Sequence, residues 1–240
     1  MSNFLLIHGG SHGAWCWEGV IRELARLGHT GYAFDLPGGG NDATPRKNVT
    51  FDSYVNAVNA FIAKEKLEDF VLVGHSLAGI ILPDIIAANI SHVRQAVFIA
   101  AFTLNAGERA IDLMAPERVA EYYQIAEASP EYSLMLDTET ARRRFFSDLN
   151  DTEADNAYAR LTPQPFMPYL APAGHSANAF GSIARYILCR NDRNLPIDQC
   201  LGFSKKLNGR LEYIDAGHDV MLSKPEALTA LLVNGSVVGN

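Results

Sequence analysis

Three short runs in this chain are apolar at every position: Phe4-Leu-Leu-Ile7, Phe70-Val-Leu-Val73 and Val97-Phe-Ile-Ala100. A strand with one face in water alternates apolar and polar residues, so an uninterrupted apolar run must be covered on both faces. Between the runs the pattern changes to a period of 3.6. Trp17, Val20, Ile21, Leu24 and Ala25 form one helical stripe stopped by Gly28, and Phe51, Tyr54, Val55, Val58, Phe61 and Ile62 form another. Further strands are expected at Gly31–Phe34, Arg185–Cys189 and Arg210–Ile214, and further helices at about Leu77–Asn89 and Ile197–Leu207. A last helix opens with Ser223-Lys-Pro-Glu226, which reads as a capping box with proline in the first turn. Strands buried on both faces and alternating with helices require a mostly parallel sheet with helices on both faces, so the fold class is α/β.

The alternation stops between Phe102 and Ser182. Helical fragments rich in Glu, Arg and Tyr (Pro116–Ala128, Thr138–Asp148) are followed there by a proline-rich stretch, Thr162–Pro172. An irregular insertion of this length in a compact α/β domain reads as a lid over a binding site. The division is therefore a core of residues 1–102 and 183–240 with a cap insertion at 103–182. The insertion holds 12 acids and 6 bases, against 15 acids and 14 bases in the core, so nearly all of the net charge of −7 lies in the insertion. That distribution predicts that anionic substrates are disfavoured at the entrance.

Composition removes several function classes. With 48% hydrophobic residues the chain is not a disordered tail, and its negative balance argues against nucleic acid or a polybasic membrane contact. Cys16, Cys189 and Cys200 follow no C-x-x-C spacing, which gives no disulfide framework or zinc site. The stretch Leu77–Ile90 is interrupted by Pro83, Asp84 and Asn89, too short and polar to span a bilayer. No signal-peptide pattern is visible after Met1, so a cytoplasmic location is expected.

The chemistry concentrates at Gly74-His-Ser-Leu-Ala-Gly79, between a buried strand and a buried helix. A serine at such a turn is pushed out at the carboxyl edge of the sheet, and its neighbours must be small for the turn to close. An unperturbed hydroxyl is a poor nucleophile, so Ser76 needs a base and a group that orients the base. In this arrangement an acid follows a later strand and a histidine follows the last one. Of seven histidines, His218 alone follows the last strand, and Asp192 precedes it by 26 residues, room for a loop, helix and strand. Asp215 is too near His218 to turn and meet its ring, and Asp198 starts the intervening helix. Backbone amides of Leu77, after the nucleophile, and Gly10, in the turn after the first strand, are the candidate oxyanion donors. No metal is expected: His8 and His12 lie on a loop without the glutamate of H-E-x-x-H. No cofactor is expected either, since Gly38-Gly-Gly40 opens no G-x-G-x-x-G helix.

The opening Phe4-Leu-Leu-Ile-His-Gly-Gly-Ser-His-Gly-Ala-Trp-Cys-Trp17, the turn Gly74–Gly79 and the tail Gly217-His-Asp-Val-Met-Leu-Ser-Lys-Pro225 resemble the α/β-hydrolase branch that contains plant methyl esterases and hydroxynitrile lyases. The resemblance runs over essentially the whole chain and is loosest in the insertion. It implies an α/β-hydrolase fold with a six-stranded sheet and a helical cap over a narrow apolar pocket. Lyases of this type carry lysine after the catalytic histidine, where this chain has Asp219, and many have Thr or Asn where it has Gly10. Ala78 departs from the glycine common to both groups. The expectation is a serine carboxylic-ester hydrolase acting on small, largely apolar esters. A hydroxynitrile lyase, a cofactor-free oxygenase and a non-catalytic small-ligand receptor are the alternatives. The partner is a small-molecule ester, with no nucleic acid and no membrane, and a homodimer is left open.

Overall fold

The computed structural model describes residues 1–235. Six parallel strands form the sheet: β1 (Asn3–Ile7), β2 (Thr30–Ala33), β3 (Phe70–His75), β4 (Val93–Ile99), β7 (Ala184–Cys189) and β8 (Arg210–Ile214). Their order is β2-β1-β3-β4-β7-β8. Two short strands, β5 (Ser133–Leu134) and β6 (Gln164–Pro165), pair antiparallel apart from the main sheet.

The uninterrupted apolar runs are explained by two separate cores, one on each face of the sheet. Leu5, Ile7, Phe70, Leu72, Ala96 and Phe98 point into one core, and their chain neighbours Phe4, Leu6, Val71, Val73, Val97 and Ile99 into the other. The first face is covered by α2 (Phe51–Glu65), α3 (Leu82–Ala88) and α8 (Ile197–Leu207). The second is covered by α1 (Glu18–Arg26) and α10 (Pro225–Gly235). One charged side chain is buried among the strands. Arg185 donates to Glu212 (2.6 Å), Gln95 (2.9 Å) and the carbonyls of Leu231 and Leu232 (both 3.1 Å), so it binds the last turn of α10 where a helix gathers partial negative charge.

Residues 103–182 carry α4 (Pro116–Ala128), α5 (Thr138–Arg144), α6 (Asp151–Tyr158) and α7 (Met167–Leu170). The helix α6 was not anticipated, although Asn150 and Glu153 cap it reciprocally. Two expectations are corrected. The helix expected from Leu77 to Asn89 is a 3-10 turn, Ser76–Ile80, followed by α3, because Pro83 lacks an N–H and fits only the first turn of a new helix. The capping box at Ser223 does not form. Ser223 closes the short helix α9 (Val220–Ser223), its hydroxyl has no partner, and the residue before Pro225 is Lys224.

Candidate active site

Strand order reverses around β1, whose neighbours are β2 on one side and β3 on the other. The carboxyl ends of strands at such a reversal leave a crevice where α/β sheets hold their ligands. The turn Gly9–Gly10 follows β1 and Ser76 follows β3, so both motifs face this crevice. A Cβ on Gly9 would stand 3.0 Å from Ser76 Cβ and 2.9 Å from His75 Nδ1, which leaves room for glycine alone.

Ser76 has φ of 53°, the left-handed region that costs a non-glycine residue energy. The turn is held by close approach of its neighbours. A Cβ on Gly74 would meet Leu82 Cδ1 at 2.8 Å, and the Gly79 backbone lies so near strand β4's exit that a Cβ would sit against the Phe102 carbonyl. Ala78 is buried at 3% exposure with its methyl in the core.

The three side chains singled out in the sequence are brought together. His218 Nε2 lies 3.0 Å from Ser76 Oγ, and His218 Nδ1 lies 2.7 Å from Asp192 Oδ2. The second carboxylate oxygen of Asp192 accepts from the backbone N–H groups of Asn194 (2.7 Å) and Leu195 (2.9 Å), which fixes its orientation. The His218 carbonyl accepts from His75 Nε2 at 3.0 Å, anchoring the loop after β8 to the residue before the serine. Burial lowers His75 to a pKa of about 3, so it is a neutral donor across the working pH range. Asn194 Nδ2 stands 3.2 Å from His218 Nε2, a contact that no sequence signal announced. Of the two rejected acids, Asp215 is exposed and paired with Arg190, and Asp198 lies in the first turn of α8.

Asp219 behaves differently from its position in the sequence. It is fully buried and faces His12 rather than the cavity, with Asp219 Oδ2 2.7 Å from His12 Nε2. His12 Nδ1 meets the Gly10 carbonyl at 2.8 Å. Both ring nitrogens therefore face acceptors, an arrangement that only the imidazolium satisfies. Burial opposes a charge on either side chain, yet the attraction within the pair raises His12 and lowers Asp219. The pair ties the Gly10 turn to the His218 loop from residues 207 positions apart. His8, by contrast, is held neutral. Burial lowers it to about 4, while its Nδ1 donates to the Gly9 carbonyl and its Nε2 accepts from Leu36 N–H.

The cavity above Ser76 is small, ≈ 30 Å³. Gly10, Ser11, His12, His75, Ser76 and His218 form its floor, with Asn194 and Leu195 at one side. The opposite wall comes from residues 103–182, where Met114, Leu134, Leu136 and Phe145 are apolar and Arg118, Tyr122, Gln164 and Tyr169 are polar. Phe145 stacks on the His218 ring with centroids 5.7 Å apart. Gln164 Oε1 accepts from Ser11 N–H at 3.1 Å, and the preceding residue, Gly10, lines the cavity. Leu77 N–H belongs to the first turn of the 3-10 segment, where amides lack a partner within the helix. Among the described residues, one set of metal-ligand types lies within 4.8 Å, namely His75, His218 and Asp219. His75 Nε2 donates to the His218 carbonyl, His218 is engaged by Ser76 and Asp192, and Asp219 Oδ2 by His12, whereas His75 Nδ1 and Asp219 Oδ1 have no hydrogen-bond partner. No helix among the described residues is long and apolar enough to cross a membrane.

This fold and serine turn define an α/β hydrolase, and residues 4–231 match that family, to which the chain belongs. It is 30% identical to Methylesterase 7 of Arabidopsis thaliana, over 96% of this chain and 94% of the relative. It is 27% identical to a carbendazim hydrolyzing esterase of a Nocardioides species, over 97% and 98% of the two chains. Some relatives are longer, the chain spanning 55% of one putative chloroplastic methylesterase of Arabidopsis thaliana. Among solved structures it is similar to an extracellular α/β-hydrolase from a Paenibacillus species that shares structural and functional homology with tobacco salicylic acid binding protein 2. That similarity has a TM-score of 0.90 and 25% identity, and covers 98% of both chains.

Proposed function

We propose that the chain is a serine carboxylic-ester hydrolase working through an acyl-enzyme. The observation that carries this reading is the unbroken line Asp192–His218–Ser76, with contacts of 2.7 and 3.0 Å, opening into the cavity. His218 Nδ1 donates to Asp192, so Nε2 is free to take the Ser76 proton as Oγ bonds to the ester carbonyl carbon. The carbonyl electrons move to oxygen, where the Gly10 and Leu77 amides receive them, each worth about 3 kcal/mol in comparable sites. Collapse of the tetrahedral species breaks the bond to the alcohol, which leaves with the proton from His218 Nε2. Water, deprotonated by His218, then attacks the acyl-enzyme, and the acid departs as Ser76 recovers its proton.

Methylesterase relatives support a small leaving alcohol, and the small cavity of ≈ 30 Å³ supports a small acyl group. On this reading residues 1–102 and 183–240 are the catalytic core and residues 103–182 the lid that supplies most of the pocket wall. A cytoplasmic setting accords with Cys16, Cys189 and Cys200, all buried and free. Lyase chemistry is not favoured, because the position after His218 holds no lysine and Asp219 is sealed against His12.

The test gives wild type and Ser76→Ala a chromogenic short-chain ester and a cyanohydrin. Ester turnover lost in the variant supports the proposal. Turnover that persists in Ser76→Ala, or cyanide release without ester cleavage, rejects it.

A further inference from the structure

The cavity lining holds one permanently charged side chain, Arg118, and no carboxylate. Its Nη1 donates to the Asn194 carbonyl at 2.8 Å and lies 3.4 Å from Asn194 Oδ1. Arg118 belongs to no ion pair among the described residues. Glu121, one turn further along α4, is engaged by Arg144 at 2.8 Å. The remaining guanidinium nitrogens are not sealed against neighbouring protein without partners, as the Nη1 of Arg144 is. The positive field of Arg118 reaches Tyr122 and Tyr169 on the same wall. Burial raises both phenols, and Arg118 acts against that rise. Three successive contacts of 3.4, 3.2 and 3.0 Å lead from Arg118 through Asn194 and His218 to Ser76. Leu134, Leu136 and Met114 supply apolar lining to the same cavity.

A guanidinium without a carboxylate, lining the same partly apolar cavity as a nucleophile, is matched by a ligand with an anion at one end and an ester at the other. We propose that Arg118 is a specificity-determining residue that binds a free carboxylate on the substrate, so that the preferred substrates are monoesters of short dicarboxylic acids. This rests on the hydrolase reading above and names its substrate class. It also differs from the expectation drawn from the acidic insertion. Most of those acids lie on the outer surface, where Asp151 and Asp155 pair with Arg142, and they do not contribute to the lining.

The experiment compares kcat/KM for monomethyl succinate, glutarate and adipate with their dimethyl esters, in wild type, Arg118→Met and Arg118→Lys. Wild type should favour the monoester at the chain length that spans the pocket. Arg118→Met should reduce the monoester-to-diester ratio by about ten- to a hundredfold, the worth of a charge-assisted hydrogen bond. Arg118→Lys should restore part of it. The diester reports any general damage from losing the Asn194 contact, so the ratio isolates recognition of the anion. A ratio that is below one in wild type, or unchanged in Arg118→Met, overturns the proposal. Calorimetric binding of the same esters to Ser76→Ala and to Ser76→Ala/Arg118→Met separates this inference from the hydrolase reading. Preferential monoester binding that depends on Arg118 supports the inference even if turnover survives Ser76→Ala, and absence of that preference rejects it whatever the turnover shows.

Discussion

Replacing Asp219 by asparagine tests whether a buried ion pair braces the two catalytic loops. The pair is 2% and 0% exposed and its atoms are 2.7 Å apart. Two charges about 4 Å apart attract by about 4 kcal/mol at the effective dielectric of a protein. Deleting one partner of such a pair outright costs about 3–5 kcal/mol, because the other charge stays buried alone. His12→Ala does this to Asp219, and against a total stability of about 5–15 kcal/mol it threatens folding itself. Asp219→Asn is milder. The new amide can donate from its Nδ2 to Nε2 of a neutral His12 whose Nδ1–H still meets the Gly10 carbonyl, so the loss should be that of a charge-assisted hydrogen bond, about 1.5–3 kcal/mol.

The pH dependence distinguishes this account from a packing effect. His12 is raised in the fold, so its contribution is complete below its unfolded value of about 6.5 and fades as pH rises through the folded value. Asp219 is lowered, so its contribution is complete above its unfolded value of about 3.9 and fades as pH falls through the folded one. The stability gap between wild type and Asp219→Asn should therefore be widest between about pH 4 and pH 6.5 and shrink toward alkaline pH. Urea unfolding followed by the fluorescence of Trp15 and Trp17 measures it. A gap that is flat from pH 5.5 to pH 9, or below about 0.5 kcal/mol throughout, is within ordinary surface-substitution noise and would refute the pairing argument.

Three further outcomes are expected. Asp192→Asn should leave the fold intact and lower kcat by about 10⁴, because the wrong His218 tautomer is then favoured; a loss under tenfold in steady-state ester assays would remove Asp192 from its role. Gly79→Ala places a methyl against the Phe102 carbonyl, so it should cost about 1–3 kcal/mol and lower the melting temperature by at least ~3 °C in calorimetry. Burial pushes the Cys200 thiol up to about 12 and raises Cys16 and Cys189 well above the usual range, so a disulfide reagent should modify none of the three thiols until denaturant is added; rapid native labelling would contradict their burial.

What the sequence made legible follows from how local its signals are. Period and punctuation located all six main strands: burial on both faces writes itself into consecutive apolar residues of the inner strands, and the half-buried edge strands β2 and β8 were placed by the turns and helices around them. Ser76, Asp192 and His218 could be singled out because each lies in the loop or turn that follows a strand, and strand ends are readable one at a time. The helix at Leu77 and the cap at Ser223 went astray by single residues. Pro83 restarts one helix, and Ser223 sits one place too early for the other. The His12–Asp219 pair had no comparable signal, since its partners are 207 residues apart and each looks like an ordinary loop residue.

Charge shows the same division between local and assembled information. A count over residues 103–182 gives net −6, which describes a region of the surface and the diffuse field an approaching ion meets. Once inside, a substrate meets only the side chains that line the cavity, and there the sign is reversed by one residue, Arg118. The two effects act at different distances and under different screening. Exposed charges fade within a Debye length of about 8 Å at physiological salt, whereas a partly buried guanidinium is screened much less. Entry and recognition can therefore favour opposite substrates, and which one governs specificity depends on the face of α4 that the fold turns inward, a fact that exists only after the chain has folded.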